Sequence, residues 1–506
     1  MFLIYAFIAC LVFYYVLKKP STPRGLKKLP SPAGHYWQVG PEPHKKFTEW
    51  AKTLGDIYSV QMGQQRWIIL TGDKVVSDLL QKRGKKYSSR PPNYYFFQIL
   101  ARGKGLINCP YNERFKTLSA IIHEILNQRA VKEHSNLIDL QYRTLMQNLY
   151  QDSTNPKGGI YHKYHFQLAS LNIMTSLSLA RSVKDIEDPL YKEFEASMRF
   201  HLNLIKVTNR LSDFFPMLRW FLNNKLYYDV IKDRSMIEIL FRKLIEEVKN
   251  DKEKKPCFMR SLLCKVDEGI LDELDVVYLI NNIFNAGTDA ISSSLTWITA
   301  ALANNPHVQD KAHQELDQVI GHSRLPNASD EPNLPYIRAI IKEGQRYCGP
   351  IYLGVPHYIE EDDEYNGYHI PANSVVILNQ YGIHMNEKKY ENPKEFKPER
   401  FFGIKESSAT LAKGCFENRD HFGFGAGRRL CAGIHFAELE LFLGVSRLLW
   451  CFKIENASPL GKDGKPIPIN LDKAQMGISI YCSSKLTNCS AQAKLKRYLI
   501  DCICYT

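Results

Sequence analysis

Apolar residues recur at helical spacing along most of the chain, most clearly near its middle. The stretch ELDVVYLINNIFNAGTDAISSSLTWITAALA, from Glu273 to Ala303, is apolar on nearly every side, which predicts a long helix buried at the centre of the fold. After Pro306, HVQDKAHQELDQVIG predicts an amphipathic helix facing solvent. A third helix is predicted at PYIRAIIKEGQRYC, because Gly349 and Pro350 follow it.

Alternating apolar and polar positions predict only a few strands. The sequence YSVQMGQQRWIIL, residues 58–70, indicates a hairpin around Gly63. Single short strands are predicted at Tyr365–Ile370 and Ser374–Leu378. Residues 152–255 read only as helices with loops, and residues 386–420, rich in Pro, Lys and Glu, read as an ordered loop. The pattern therefore predicts a mainly α-helical fold with small β-sheets.

The first residues of the chain have the composition of a membrane anchor. Met1 to Leu17 carry no charged side chain, and Lys18 and Lys19 follow. Their length is at the short end of the ~17–25 residues that span a bilayer, and neither a basic start nor a small-residue cleavage site appears. We predict an uncleaved anchor at 1–17 with a cytoplasmic body, against a cleaved signal or a buried core helix. Residues 18–33, proline-rich and basic, are predicted to be a hinge.

The overall composition says little about which partners the protein binds. The chain has 506 residues and 66 basic against 53 acidic side chains, a formal charge of +13. Such an excess fits an anionic membrane, an acidic protein, a nucleic acid or simply a solvated surface. Twelve cysteines occur without any C-x-x-C, so most are predicted to be buried and reduced. Cys431 stands out for its surroundings.

The stretch FGFGAGRRLCAGIHFAELEL, residues 422–441, surrounds Cys431 with features suited to binding a metal. A thiolate ligand must stay deprotonated, and the start of the helix predicted near Cys431 directs its positive dipole end at the sulfur. Arg429 is a fixed charge suited to a carboxylate, and Gly433 removes a side chain beside a flat cofactor. The preceding glycines let the backbone bend and approach that cofactor: Gly423, Gly425 and Gly427. The alternative is a glycine-rich turn holding a buried cysteine.

The cysteine frame and two further motifs resemble the cytochrome P-450 superfamily, most closely its fungal and other eukaryotic microsomal members. The frame fills F-x-x-G-x-R-x-C-x-G with Phe424, Gly427, Arg429, Cys431 and Gly433. An E-x-x-R at Glu343 and Arg346 and a P-E-R-F element containing Arg400 occur in the family's order, although E-x-x-R alone could belong to any surface helix. The resemblance implies a buried network of Glu343, Arg346 and Arg400.

The resemblance covers about residues 30–485 and implies one large catalytic domain, 34–488, followed by a tail, 489–506. Haem b would lie between the central long helix and the cysteine loop, with Cys431 as axial ligand of its iron and Arg429 and His357 at its propionates. The family's W-x-x-x-R motif is absent here, since Phe115 and Ser119 occupy those places. Lys116 and His123 are the candidate substitutes.

The central helix carries Ala286-Gly287-Thr288-Asp289, which is similar to the family's A-G-x-[DE]. By that resemblance, Gly287 leaves room for dioxygen and can open a local kink, and Asp289 is a proton-relay acid, the alternative being an ion pair inside the helix. The family's next residue is Thr, but here it is Ala290. Thr288 lies about 200° around the helix from position 290 and cannot replace it. Ser293, an ordered water or a substrate hydroxyl could.

The resemblance implies a haem-thiolate monooxygenase acting on a hydrophobic steroid, terpenoid, fatty acid or polyketide. Aromatic and aliphatic segments are predicted to line the substrate pocket: 94–100, 200–215, Phe284 with Ala286, 351–355 and 476–480. Any single residue among them could equally belong to the hydrophobic core. No nicotinamide or flavin motif occurs, so NADPH acts only through a cytochrome P-450 reductase, with cytochrome b5 as a second electron donor and Arg428 and Lys413 as docking residues.

We predict a single-pass protein of the endoplasmic reticulum membrane, bound to lipid and to no nucleic acid. Two other classes stay open. One is a reductase-independent isomerase, dehydratase or peroxygenase-like enzyme, which only Ala290 favours. The other is a non-enzymatic haem-binding or scaffold protein, which Gly287 and Asp289 argue against.

Overall fold

The computed structural model describes residues 22–32, 38–153, 162–206, 211–220, 224–455, 468–469 and 471. The predicted anchor at 1–17, the tail at 489–506 and the predicted pocket segment at 476–480 lie outside the described residues. Within these ranges, none of the helices combines the length and apolar character needed to cross a bilayer.

Helices form most of the described chain, as the hydrophobic pattern predicted. In chain order they are α1 Pro43–Leu54, α2 Asp73–Val76, α3 Gly84–Tyr87, α4 Glu113–Leu126, α5 Gln128–Glu133, α6 Ser135–Ser153, α7 His162–Leu179, α8 Pro189–Leu204, α9 Leu211–Phe214, α10 Asn224–Asn250, α11 Phe258–Asp267, α12 Glu273–Asn304, α13 Pro306–Val319, α14 Pro335–Cys348, α15 Gln380–His384, α16 Ser408–Leu411 and α17 Ile434–Cys451. Wider π-helical turns occur at Ser77–Lys82 and Tyr94–Leu100, and 3-10 turns at Pro216–Trp220, Ala328–Asn333, Pro398–Phe401, Phe416–Asn418 and Gly427–Arg429.

Two small sheets accompany the helices. Their strands are β1 Lys27–Lys28, β2 Ile57–Met62, β3 Gln65–Leu70, β4 His357–Ile359, β5 Asp363–Tyr365, β6 Tyr368–Ile370 and β7 Ser374–Leu378. One sheet has the order β1-β6-β5 and the other β2-β3-β7-β4, with β1 parallel to β6 and β3 parallel to β7. The predicted hairpin around Gly63 is confirmed as β2 and β3.

The single strand predicted at Tyr365–Ile370 is wrong. The segment forms a hairpin of β5 and β6, and its turn residues Asn366 and Gly367 both have positive φ, 53° and 79°. An Asn-Gly pair favours a two-residue hairpin turn because both residues tolerate this left-handed conformation. The Asn366-Gly367 pair was therefore a sequence signal for a turn, which the prediction of one continuous strand across it missed.

The central helix α12 begins at a reciprocal cap, in which Asp272 and Asp275 each accept a hydrogen bond from the other's backbone N–H. It packs along α7 and α17, and glycines permit close approach on both sides. A Cβ on Gly287 would lie 2.4 Å from Met174 Sδ of α7, and one on Gly444 of α17 would lie 2.7 Å from Leu295 Cδ2. The helix is α-helical from end to end, and Gly287 allows its close packing against α7.

Part of the predicted hinge, residues 27–30, is hydrogen-bonded to the two β-sheets. The backbone N–H of Lys27 donates to the carbonyl of Gly367, that of Ser59 donates to the carbonyl of Pro30, and Leu29 is buried. Lys27–Lys28 therefore form an edge strand of one sheet, and Pro30 is bonded to β2 of the other.

Candidate active site

The loop that carries Cys431 is held by backbone and side-chain hydrogen bonds. The N–H of Cys431 donates to the Phe424 carbonyl at 2.9 Å. The buried ring of His384 accepts the N–H of Phe422 through Nε2 at 2.8 Å, and Arg419 Nε donates to the His421 carbonyl at 3.0 Å. Helix α17 begins at Ile434, so Cys431 lies just before its N-terminus, as predicted.

The Cys431 thiol is accessible although protein surrounds it on every side. Its accessible surface therefore faces an internal space rather than bulk solvent. Burial raises the pKa of the Cys431 thiol, and a hydrogen bond from the Gly433 backbone opposes that shift. Burial therefore favours the protonated thiol, and a metal cation bound at the sulfur would favour the thiolate.

Two glycines around the thiol differ in their surroundings. A Cβ on Gly427, which has φ +65°, would lie 1.8 Å from the carbonyl oxygen of Leu80. Gly427 is thus required by the close approach of the Leu80 backbone. A Cβ on Gly433 would meet nothing within 4 Å, so open space lies beside this residue.

Three basic side chains cluster beside the loop. Arg429 donates to the carbonyls of Ser88 at 2.7 Å, Leu106 at 3.3 Å and Cys109. Arg90 donates to the carbonyls of Ile107, Val355 and Pro356 at 2.7–2.9 Å. His357 Nδ1 donates to the Tyr87 carbonyl at 2.7 Å.

The cluster is buried and short of negative charge. Burial lowers the pKa of Arg429 to about 10 and, assisted by Arg90, that of His357 to about 3. Burial and then Arg429 lower the pKa of Arg90 as well. No carboxylate pairs with Arg90, Arg429 or His357 among the residues that the structure describes. Such a cluster fits an anionic group, because buried cations are stable only when paired.

Phe115, at the Trp position of the missing W-x-x-x-R motif, contacts the basic cluster. The Phe115 ring lies 3.6 Å from the guanidinium carbon of Arg429 and supports it through a cation–π contact. Lys116 instead pairs with Glu113 at the surface, and His123 lies near Lys413. Neither candidate substitute joins the cluster. Arg90, in the stretch YSSRPP at residues 87–92, does.

One face of α12 opens toward the interior. Ala286 is exposed and Ala290, one turn later, is partly exposed, whereas most of the helix is buried. Thr288 is fully buried, and its hydroxyl has no partner among the described residues. The small residues thus face the accessible space, and Thr288 does not.

Asp289 is buried on α12 and interacts with the α7 lysine Lys163. Burial lowers the pKa of Lys163 to about 8, and Asp289 and Glu195 oppose that shift. Asp289 therefore has a charged partner as well as a place next to the accessible face, so the contacts are compatible with both the relay and the ion-pair interpretation.

The structure brings Glu343, Arg346 and Arg400 together, as the motifs implied. Arg346 Nε and Nη2 donate to the two oxygens of Glu343 at 2.6 and 2.8 Å, with both side chains fully buried. Arg400 Nε lies 3.5 Å from Glu343 Oε1. Arg346 Nη1 also donates to the carbonyl of His384 at 2.8 Å, which links the network to the cysteine loop.

Glu343→Gln is expected to lower the free energy of unfolding by about 3–5 kcal/mol, because it leaves Arg346 buried without its counter-charge. Urea unfolding measures this change. Glu133→Gln is the matched control: Glu133 is exposed and pairs with Arg129 at 2.8 Å, and a surface pair is worth about 1 kcal/mol or less. Equal losses in the two variants would contradict the structural role of the network.

A haem group fits these residues on three counts. Cys431 offers an accessible thiol inside the protein, Gly433 leaves open space beside it, and the cations Arg90 and Arg429 form, with the His357 ring, a cluster suited to two propionates. Together these features are those of a haem-thiolate protein, in which a cysteine thiolate is the iron ligand.

The chain belongs to the cytochrome P450 family, whose model matches residues 23–471. Cytochrome P450 monooxygenase atE of Aspergillus terreus is 33% identical over 431 residues, which cover 83% of this chain and 79% of that one. Cytochrome P450 monooxygenase verL of Clonostachys rogersoniana is 30% identical over 480 residues, 90% and 86% of the two chains. A zebrafish cytochrome P450 solved with abiraterone has the same fold, with a TM-score of 0.72, 22% identity and coverage of 88% and 98%. The protein is thus an oxidoreductase of the monooxygenase type with a single P450 domain.

Proposed function

We propose that this enzyme inserts one oxygen atom from O2 into a hydrophobic substrate of steroid, terpenoid, fatty-acid or polyketide type. Haem b, held by Cys431 with Arg90, Arg429 and His357 at its propionates, supplies the activation of O2. The observation that carries the proposal is the accessible thiol of Cys431 inside a fold whose central helix presents Ala286 and Ala290 to the interior. These small side chains leave room for a substrate, and Asp289 supplies protons.

The electrons come from NADPH–cytochrome P450 reductase, with cytochrome b5 as a second donor. Exposed basic residues near the cysteine loop support this step. Arg428 lies on Tyr111, donating to its hydroxyl at 2.6 Å, and interacts with nearby Lys116. Exposed Lys413 lies close to His123 and His435. This positive surface suits an acidic reductase.

The decisive experiment measures NADPH consumption by the full-length haem protein with purified microsomal reductase. Hydrophobic compounds that shift the Soret band are first selected as substrates. A monooxygenase consumes NADPH faster when such a compound is present and yields a product heavier by one oxygen atom. Conversion of the compound without reductase would favour the isomerase, dehydratase or peroxygenase class instead.

Ala290→Thr is expected to increase the share of NADPH electrons that reach product and to reduce peroxide release. Ser293 has a buried side chain whose hydroxyl bonds to no described residue yet keeps accessible surface, so it can hold a water in place of the usual threonine. The new hydroxyl adds a second, better placed group. Ser293→Ala should impair the wild-type enzyme more than the Ala290→Thr variant. Weaker substrate binding and poorer coupling in Ala290→Thr would show that a substrate hydroxyl occupies this space.

The proposed location is the endoplasmic reticulum membrane, with residues 1–17 as a single-pass anchor and the catalytic domain in the cytoplasm. Deleting residues 1–17 is expected to weaken membrane attachment and to leave haem binding intact, because the haem-contacting residues named above all lie beyond position 80. Sedimentation with microsomes and the carbon monoxide spectrum test the two effects. Loss of haem on deletion would place these residues in the folded core.

A further inference from the structure

A chain of polar side chains links α8, α10 and α12. His201 of α8 and Asp233 of α10 are buried, and His201 Nε2 lies 2.9 Å from Asp233 Oδ2. On the other side of the ring, His201 Nδ1 lies 3.5 Å from Nδ2 of Asn285 on α12. Asn285 Nδ2 also lies 3.2 Å from Asn281 Oδ1.

The donors and acceptors in this chain follow from its end at a carboxylate. Asp233 accepts from the Nε2–H of His201. The amide Nδ2 of Asn285 can only donate, so His201 Nδ1 accepts from it. The amide N–H groups of Asn285 are used by His201 and Asn281. The amide is thereby oriented, and its carbonyl oxygen Oδ1 points away from both partners.

That oxygen is available to a ligand. Asn285 Oδ1 has no hydrogen-bond partner among the described residues, and it keeps accessible surface although Asn285 lies in the middle of a mostly buried helix. Asn285 is next to Ala286, the exposed residue of the same helix. The Phe96 ring packs edge-on against His201 with centroids 5.8 Å apart, so the site borders an apolar surface.

We propose that Asn285 binds a hydroxyl group on the substrate and so sets the orientation of the substrate in the pocket, with His201 and Asp233 as positioning residues. The inference deepens the proposed function: the substrate is a hydrophobic molecule that carries at least one hydrogen-bond donor away from the carbon that is oxidised. A purely structural polar cluster would tie the three helices together and make no distinction between ligands.

Azole probes test this without knowledge of the natural substrate. An imidazole ligates haem iron, so 1-(ω-hydroxyalkyl)imidazoles of increasing chain length carry a hydroxyl to increasing distances from the iron. The matched 1-(ω-methoxyalkyl)imidazoles can accept a hydrogen bond but cannot donate one. Dissociation constants are obtained from the Soret shift of the full-length haem protein. At one chain length, the hydroxyl probe should bind about fivefold more tightly than its methyl ether, the equivalent of one hydrogen bond.

Three variants distinguish a hydrogen bond from Asn285 to the probe from a general change in helix packing. Asn285→Leu should abolish the preference for the hydroxyl probe, and His201→Phe should reduce it by releasing the amide. Asn282→Leu is the matched control, since Asn282 lies on the same helix and accepts from the backbone of Leu106 at 3.0 Å. It should shift both probe series together and leave their ratio unchanged.

The outcomes that overturn the proposal are distinct from failure of the proposed function. Equal binding of hydroxyl and ether probes at every length, a preference for the ether, or a preference that survives in Asn285→Leu would each contradict the role of Asn285. Absence of any Soret shift with all imidazoles would instead contradict the haem-thiolate site itself.

Discussion

Replacing Cys431 by serine is expected to abolish the strongly red-shifted Soret band of the reduced carbon monoxide complex. That band requires a thiolate ligand, and Cys431 is the cysteine of the described chain that has accessible surface while being surrounded by protein. Serine offers a hydroxyl that stays protonated far more strongly than a thiol, so it cannot replace the sulfur as a charged ligand. The change should also stop NADPH-dependent product formation.

Cys348→Ser is the matched control for that variant. Cys348 is buried at the end of α14, packed with Trp297 and Ala300, so it experiences the same chemical change in an apolar setting. Its carbon monoxide spectrum should resemble that of the wild type even if the protein is less stable. A surviving red-shifted band in Cys431→Ser would show that another residue ligates the iron.

Asp289→Asn is expected to slow product formation by roughly 10²–10⁴-fold, the usual value of a positioned proton donor, with the carbon monoxide spectrum unchanged. An asparagine keeps the size of the side chain but cannot carry a proton through the buried region beside α12. The rate of product formation with reductase measures the effect. The solvent isotope effect in D2O should rise, because proton delivery becomes limiting.

Lys163→Gln separates proton delivery from a structural ion pair. It removes the charged partner that Asp289 meets on α7 and leaves the acid in place. If Asp289 is the relay acid, Lys163→Gln retains most of the rate and its isotope effect stays near that of the wild type. Equal losses in both variants, without a change in isotope effect, would mean that Asp289 acts only as a structural partner.

The local pattern of apolar residues and helix-stopping residues was sufficient to predict the long helices. The sequence motifs were recognisable from their spacing and their order along the chain. The helix at Glu273–Asn304 and the helix that carries Glu343 and Arg346 appear close to their predicted limits, since continuous apolar runs and proline or glycine stops act within a few residues. The spacing of Glu343 and Arg346 places them one helical turn apart, which is why their contact could be expected before the fold was known.

Contacts between residues far apart in the sequence could not be predicted from local sequence patterns. Arg90 meets Arg429 and His357 only because two loops and β4 converge, and an arginine in a proline-rich stretch carries no local sign of burial. The role of Gly427 depended on the Leu80 carbonyl, a backbone atom that no residue pattern reveals. Asn285 and His201 likewise lie on separate helices, each with an ordinary amphipathic or apolar sequence.

His384 has a consequence for how the enzyme retains its cofactor. Its carbonyl accepts from Arg346, and its ring accepts from the backbone of Phe422, so one residue joins the buried ion network to the loop that holds the cysteine. Displacement of Arg346 would therefore reach the cysteine loop through His384. Damage to the network is expected to appear first as protein that retains its helices but fails to keep haem.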